Sequence, residues 1–256
     1  MASTTISRIA GLALAGLLLS GAAIAAEEEP ELLQRDWSFE GFFGTFDRPS
    51  AQRGLQVYRE VCAGCHGLEY VAFRHLEALG FSEDQVRALA AEYTVTDGPD
   101  DFGEMFERAA LPSDYFPSPY PNEQAARAAN GGALPPDLSL LAKARADGSN
   151  YLYSILVGYE DPPPDAEERP GMHYNRFFPG QWIAMPPPLS EGIVEYADGT
   201  EATIVQMSVD VTTFLTWAAE PKLEERKQTG LKAMLFLIVF TGLLYATKRR
   251  IWAEAH

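Results

Sequence analysis

Two cysteines and a histidine fall within one five-residue run, Cys62-Ala63-Gly64-Cys65-His66, and the chain has no other cysteine. C-x-x-C-H is the attachment pattern of a c-type haem. Two residues between the thiols set both sulfurs on about one turn of helix, where each can form a thioether with a haem vinyl group. The next residue, His66, is then carried under the ring with its imidazole toward iron. A zinc site would draw further Cys or His ligands at short spacing, and His75, His173 and His256 supply no such pair. A thioredoxin-like dithiol belongs in a βαβ pattern, which this sequence does not display.

A haem held by His66 stays open to small ligands unless a second donor takes the opposite face. Methionine thioether favours ferrous iron and suits electron transfer at high potential. The candidates are Met105, Met172, Met185, Met207 and Met234. Met234 falls in an apolar C-terminal run and Met207 on an apolar helix stripe, where filling space is the plainer role. Met185 precedes Pro186-Pro187-Pro188, which stiffen the backbone and remove donors. It is therefore favoured over Met172 and its neighbour His173. Arg127 suits a haem propionate, because guanidinium binds carboxylate through two parallel hydrogen bonds; a plain surface charge is the alternative. Leu134-Pro135-Pro136 is expected on the histidine side, one carbonyl accepting the Nδ1–H of His66.

These residues need elements to hold them. Ser50 is expected to cap a helix running from Ala51 toward the cysteines, with Leu55, Tyr58 and Val61 in one buried stripe. Gly54, four residues before Tyr58, lets another helix approach closely. Tyr70–Glu92 reads mostly as helix, with His75 an ordinary surface histidine on it. Thr94–Pro121 is a long proline-rich excursion of the kind that serves a site or an interface. Glu123–Asn130 is helical, Asp137 or Ser139 caps a helix through Leu141–Arg145, and Tyr151–Gly158 is helical as well. A second acidic loop, Glu160–Glu168, follows. Ile193–Tyr196 and Ala202–Val205 flank Asp198-Gly199 as a hairpin. Met207, Val211, Phe214, Leu215 and Ala218 then mark an amphipathic helix ending near Pro221.

The ends of the chain set its topology. Arg8, the apolar run Ile9–Leu19 and the small residues Gly21–Ala26 read as a secretory signal peptide over residues 1–26. Export agrees with haem attachment outside the cytoplasm. The apolar run 229–247 makes roughly 28 Å of helix, about one hydrocarbon thickness, within a membrane anchor expected over 229–248, with Lys232 able to snorkel. Lys248-Arg249-Arg250 places the tail, 249–256, in the cytoplasm, which leaves 27–228 as an external domain. The net charge of −16, from 36 acidic against 20 basic residues, argues against nucleic acid. Such a field steers basic partners inward.

Several stretches together resemble the cytochrome c1 family: Val61–His66, Gly103–Phe106, Ser113–Pro117, Ala125–Asn130, Gly132–Ser139, Phe178–Gln181, Ile183–Pro187 and Thr213–Pro221. They run in the family's order over nearly the whole chain after the signal peptide, and the secretory signal suits a bacterial member. The resemblance implies a mainly α fold: a class I cytochrome c core with long loop insertions, a small β-hairpin and one C-terminal transmembrane helix. The helix through Gly54 and Tyr58 would cross the one through Phe214 and Trp217.

Residue by residue, the resemblance makes Cys62 and Cys65 the thioether sites of one covalent haem c. His66 becomes the proximal ligand, Met185 the distal ligand, and Arg127 an arginine near the propionates. It implies an electron-transfer subunit of the bc1 complex, a proton-translocating ubiquinol–cytochrome c oxidoreductase, with no substrate-converting site of its own. The implied partners are cytochrome b, the Rieske iron–sulfur protein, a cytochrome c acceptor and a dimeric complex, without nucleic acid. The implied location is the bacterial inner membrane, with the haem domain in the periplasm. Some bacterial relatives carry an extra cysteine pair near the methionine side. This chain has none, so its distal loop is expected to rely on packing and prolines alone. A tethered mobile carrier, or a haem sensor with an open distal face, are the rival readings of the residues.

Overall fold

The computed structural model describes residues 30–164 and 166–253; the expected signal peptide, 1–26, lies outside them. The centre of the fold is a crossing of two helices, α1 (Arg48–Val57) and α6 (Ile204–Ala219). From Met207 to Ala219 every residue of α6 except Val209 is buried. Gly54 makes the crossing close: a Cβ there would fall 2.0 Å from the Asp210 carbonyl oxygen and 2.7 Å from Phe214 Cβ. One turn on, the Tyr58 ring meets Phe214 at 5.9 Å and Phe116 at 6.0 Å. Phe73 extends the aromatic cluster, 4.3 Å from Phe116.

The cap of α1 is Asp47, not Ser50. Asp47 accepts from the Ser50 backbone N–H at 3.2 Å, and Pro49 sits in the first turn, where its missing N–H leaves nothing unpaired. Ser50 lies inside the helix and donates its hydroxyl to Asp210 at 2.7 Å. The segment 70–92 is two elements: a 3₁₀ helix, Phe73–Leu79, and α2, Glu83–Ala91. Gly80, at φ 96°, ends the first, and Ser82 with Gln85 forms a reciprocal cap on the second.

The fold is mainly helical, with two small antiparallel sheets. Neither lies at Asp198-Gly199. That dipeptide does turn, with the Gly199 N–H bonded to the Tyr196 carbonyl at 3.1 Å, but no strand ladder flanks it. The reason is Thr203, whose hydroxyl caps α6 through the Gln206 N–H at 3.0 Å. Ile204 and Val205 thereby become the first turn of a helix. The hairpins are β1 (Thr94–Asp97) with β2 (Phe106–Ala109), and β3 (His173–Tyr174) with β4 (Trp182–Ile183). The first stands inside the proline-rich excursion.

Three shorter helices complete the domain: α3 (Glu123–Ala129), α4 (Leu141–Ala144) and α5 (Gly148–Val157). α5 packs against α6, and Ser149 and Thr216 share a hydroxyl–hydroxyl bond of 3.0 Å. The aromatic lead-in, residues 37–44, is bound to α5 by Asn150, which accepts from Trp37 Nε1 at 2.8 Å. The last helix, α7 (Leu223–Ala253), is long and apolar enough to cross a membrane. Its first turns belong to the domain. Glu224 takes a forked pair from Arg48 at 2.6 and 2.9 Å, and Lys227 donates to the carbonyls of Phe39 and Gly44.

Candidate haem site

α1 runs directly into the cysteine motif through one π-helical turn, Tyr58–Cys62. The Ala63 N–H reaches the Tyr58 carbonyl at 2.7 Å, and the His66 N–H returns to the Cys62 carbonyl at 2.9 Å. The chain thus coils once through the motif and delivers the imidazole at its end. Tyr58, held in the aromatic cluster, adds a bond from its hydroxyl to the His66 carbonyl at 3.1 Å.

Residues 136–139 are laced to residues 66–70. His66 Nδ1 lies 2.7 Å from the Pro136 carbonyl. The Leu138 N–H bonds to the Gly67 carbonyl at 2.9 Å. Asp137 accepts from the Glu69 N–H at 2.9 Å, and the Ser139 hydroxyl accepts from the Tyr70 N–H at 3.1 Å. Asp137 and Ser139 therefore hold this seam and do not cap α4, whose N-terminus has no side-chain cap. A Cβ at Gly67 would lie 2.9 Å from Asp137 Oδ2 and would push that carboxylate from its place in the seam.

The Pro136 contact decides the chemistry of His66. A carbonyl accepts only, so Nδ1 carries the hydrogen and Nε2 keeps its lone pair for a metal. Burial holds the His66 pKa below its ordinary value, against the opposing Pro136 bond and Asp137 charge, which keeps the ring neutral and able to ligate. The Cys62 thiol is pushed up to about 12, by burial first and by Cys65 second. That is the opposite of a redox dithiol, which needs a lowered thiol pKa. Among the described residues no three His, Cys, Asp or Glu side chains converge to hold a metal ion. Two neighbouring thiols and one imidazole with a free Nε2 fit a covalent haem and not a zinc site.

The other expected residues lie further along the chain. Arg127 is exposed on α3 and donates to the Gly132 carbonyl at 3.1 Å. It clamps the turn through Gly131 and Gly132, at φ 61° and 95°, that leads into Leu134-Pro135-Pro136. Met185 is half-buried two residues beyond β4, and Tyr159 donates its hydroxyl to the Met185 carbonyl at 3.0 Å. Met207 is fully buried in α6, and Met105 is 60% exposed between β1 and β2. Met172 and His173 line a cavity of about 890 Å³ with Tyr159, Trp182, Pro187 and Leu189; neither the cysteines nor His66 border it.

The Met185 segment is held by more than packing and prolines. Asn175, fully buried, donates to the Ile155 carbonyl at 2.8 Å and accepts from the Phe177 N–H at 3.1 Å. Neither Tyr159 nor Asn175 stands out in the sequence. An Asn before Arg176-Phe177 reads as a turn residue, and its burial depends on chain returning from far away.

The family model described as the Cytochrome C1 family matches residues 37–255. A protein of Rhodospirillum rubrum named cytochrome c1 is 49% identical over 269 residues, covering 98% of each chain. The Saccharomyces cerevisiae protein "Cytochrome c1, heme protein, mitochondrial" is 50% identical over 237 residues, 92% of this chain and 77% of that one. The Bradyrhizobium diazoefficiens protein "Cytochrome b/c1" is 49% identical across the whole of this chain, which spans 40% of its length. The match runs from the aromatic lead-in through the cysteine motif to the apolar tail, and the chain belongs to the cytochrome c1 family.

Proposed function

We propose that Cys62 and Cys65 bind the haem vinyl groups, that His66 and Met185 ligate its iron, and that Arg127 serves the propionates. Family membership itself makes the protein an electron-transfer haem protein with one covalently bound c-type haem. When bound, the haem supplies reversible one-electron chemistry. The chain's own work is to ligate, to keep the pocket dry and to fix the ring. Of all the observations, the 2.7 Å bond between His66 Nδ1 and the Pro136 carbonyl carries this reading furthest. It leaves Nε2 free to ligate and ties His66 to the laced seam.

We further infer that the protein works within a bc1 complex beside cytochrome b. It would take single electrons from a Rieske iron–sulfur protein and pass them to a cytochrome c. Residues 1–26 are the signal peptide, 27–228 the periplasmic domain, 229–248 the membrane span and 249–256 a cytoplasmic tail. What supports this is the charge triplet Lys248-Arg249-Arg250 after the apolar part of α7. The Arg48–Glu224 pair would then fix the domain on its anchor. The acidic loop between β1 and β2 is the docking face for a basic cytochrome c. Phe102, 91% exposed, adds an apolar contact among its carboxylates.

The test is haem reduction by a ubiquinol analogue in detergent-solubilised, affinity-purified material, with and without an inhibitor of quinol oxidation. Inhibitor-sensitive reduction, with a b-type cytochrome and an iron–sulfur protein co-purifying, is the expected result. A lone cytochrome indifferent to quinol would make it a tethered carrier instead.

A further inference from the structure

The C-terminal end of α5 grips the Met185 segment at two separate points. At one stem, the buried amide of Asn175 donates to the Ile155 carbonyl at 2.8 Å, and the Arg176 N–H bonds to the Gly158 carbonyl at 2.9 Å. The fit is tight. A Cβ at Gly158 would lie 2.5 Å from the Phe177 ring, 2.7 Å from the Ser154 carbonyl and 2.8 Å from Asn175 Oδ1. At the other stem, the next residue, Tyr159, donates its hydroxyl to the Met185 carbonyl at 3.0 Å. Between these points the chain turns back on itself through local bonds, Phe178 N–H to the Asn175 carbonyl, Gln181 N–H to the Phe178 carbonyl and Asn175 N–H to the Gln181 carbonyl at 2.8 Å, before β4 pairs with β3.

Met185 has few local means of fixing its own carbonyl. The three residues after it are prolines, which have no N–H to give. The Tyr159 hydroxyl comes from a distant element and supplies the missing donor.

We propose that Tyr159 is a positioning residue for the Met185 thioether. It holds the Met185 backbone through its carbonyl while Asn175 fixes the other stem to the same helix end. This rests on the reading of Met185 as the distal ligand. The pair does for this chain, by hydrogen bonds, what a disulfide would do by a covalent cross-link: it narrows the positions the loop can sample, so the sulfur stays on iron.

The test uses membranes carrying the full chain in its complex, with carbon monoxide as probe of the reduced haem. Its second readout is the sulfur-to-iron charge-transfer band of the oxidised haem. Tyr159→Phe removes one oxygen and keeps the ring. At unchanged haem content it should raise the carbon monoxide-reactive fraction roughly two- to tenfold, the effect of losing one neutral hydrogen bond, and weaken the band. In a Met185→Leu background the same substitution should add nothing, because there is no sulfur left to position. Asn175→Ser is an independent arm expected to shift both readouts in the same direction. Wild-type behaviour of Tyr159→Phe or of Asn175→Ser would overturn the clamp. So would an equal rise in both backgrounds, which would mean that Tyr159 guards access and not the ligand. A Met185→Leu variant that bound no more carbon monoxide than wild type would sink the ligand reading itself, a separate failure.

Discussion

Gly54 faces the Asp210 carbonyl across the α1–α6 crossing, so closely that a side chain of any size would collide with backbone. A flexible neighbour could move aside; a helix carbonyl 2.0 Å away cannot without separating the two helices. Gly54→Ala is therefore expected to destabilise the domain by about 2 kcal/mol or more, the range for overpacking a tight core. Denaturant unfolding of the haem-loaded protein measures it. A loss of only a few tenths, the size of a helix-propensity effect, would show that the crossing is looser than drawn.

Asp210 is fully buried and makes a forked pair with Arg53, both bonds at 2.9 Å. Ser50 at 2.7 Å and Gln206 at 3.0 Å donate to the same carboxylate, and Asp198 reaches Arg53 from the turn before α6. Removing one partner strands the other. Arg53→Met should lower stability by about 3–5 kcal/mol, the penalty for leaving the fully buried Asp210 carboxylate without its cation. A double variant, Arg53→Met with Asp210→Leu, should recover much of that loss. If it were as unstable as the single variant, the pair would be contributing more than mutual neutralisation.

The seam around His66 was legible in the sequence, because the residues that make it are contiguous on each side and the Pro136 carbonyl meets the imidazole as expected. Cys62, Cys65 and His66 announce themselves by spacing, and Pro135-Pro136 by a rigidity that calls for a reason. Gly54 was readable for the same cause: a glycine four residues before a core tyrosine implies close approach. Local competition was harder to read. Asp47 and Ser50 are both good caps, and the choice fell to Asp47 because it leaves Pro49 within the first turn. Asp198-Gly199 makes its turn, yet Thr203 claims the following residues for α6. The distal clamp was not legible at all. Tyr159 and Met185 are 26 residues apart, and nothing in either neighbourhood announces the bond.

His75 carries a pH dependence outside the haem site. Its Nδ1 accepts from the Ala72 N–H at 3.2 Å, a bond only the unprotonated nitrogen can accept. Burial first, then the charges of Arg74 and Lys222, depress its pKa below the ordinary 6.5. The folded state thus prefers the neutral ring. The stability this confers is fully present above pH 6.5 and is lost as the pH falls below 6.5 through the folded value. Melting temperature recorded over that interval should fall more steeply in wild type than in His75→Gln. Parallel curves would remove His75 from the account.

The loop between β1 and β2 concentrates Asp100, Asp101 and Glu104 on an exposed tip beside Phe102. Asp100 also has a structural duty: its Oδ1 accepts from the Phe102 and Glu104 N–H groups at 2.8 and 2.9 Å. Neutralisation must therefore keep the acceptor, which Asp100→Asn, Asp101→Asn and Glu104→Gln do. Electrostatic complementarity acts mainly on encounter and fades as the Debye length shrinks to about 8 Å near physiological salt. The triple variant should slow electron transfer to a basic cytochrome c by about tenfold at low ionic strength, with the difference closing as salt is raised. Stopped-flow oxidation of the reduced haem over a salt series gives both numbers. An unchanged rate with an unchanged salt slope would move the docking face elsewhere, to the acidic loop at Glu160–Glu168. Slowing that persisted at high salt would instead implicate the shape of the tip, and Phe102→Ala would then be the more damaging change.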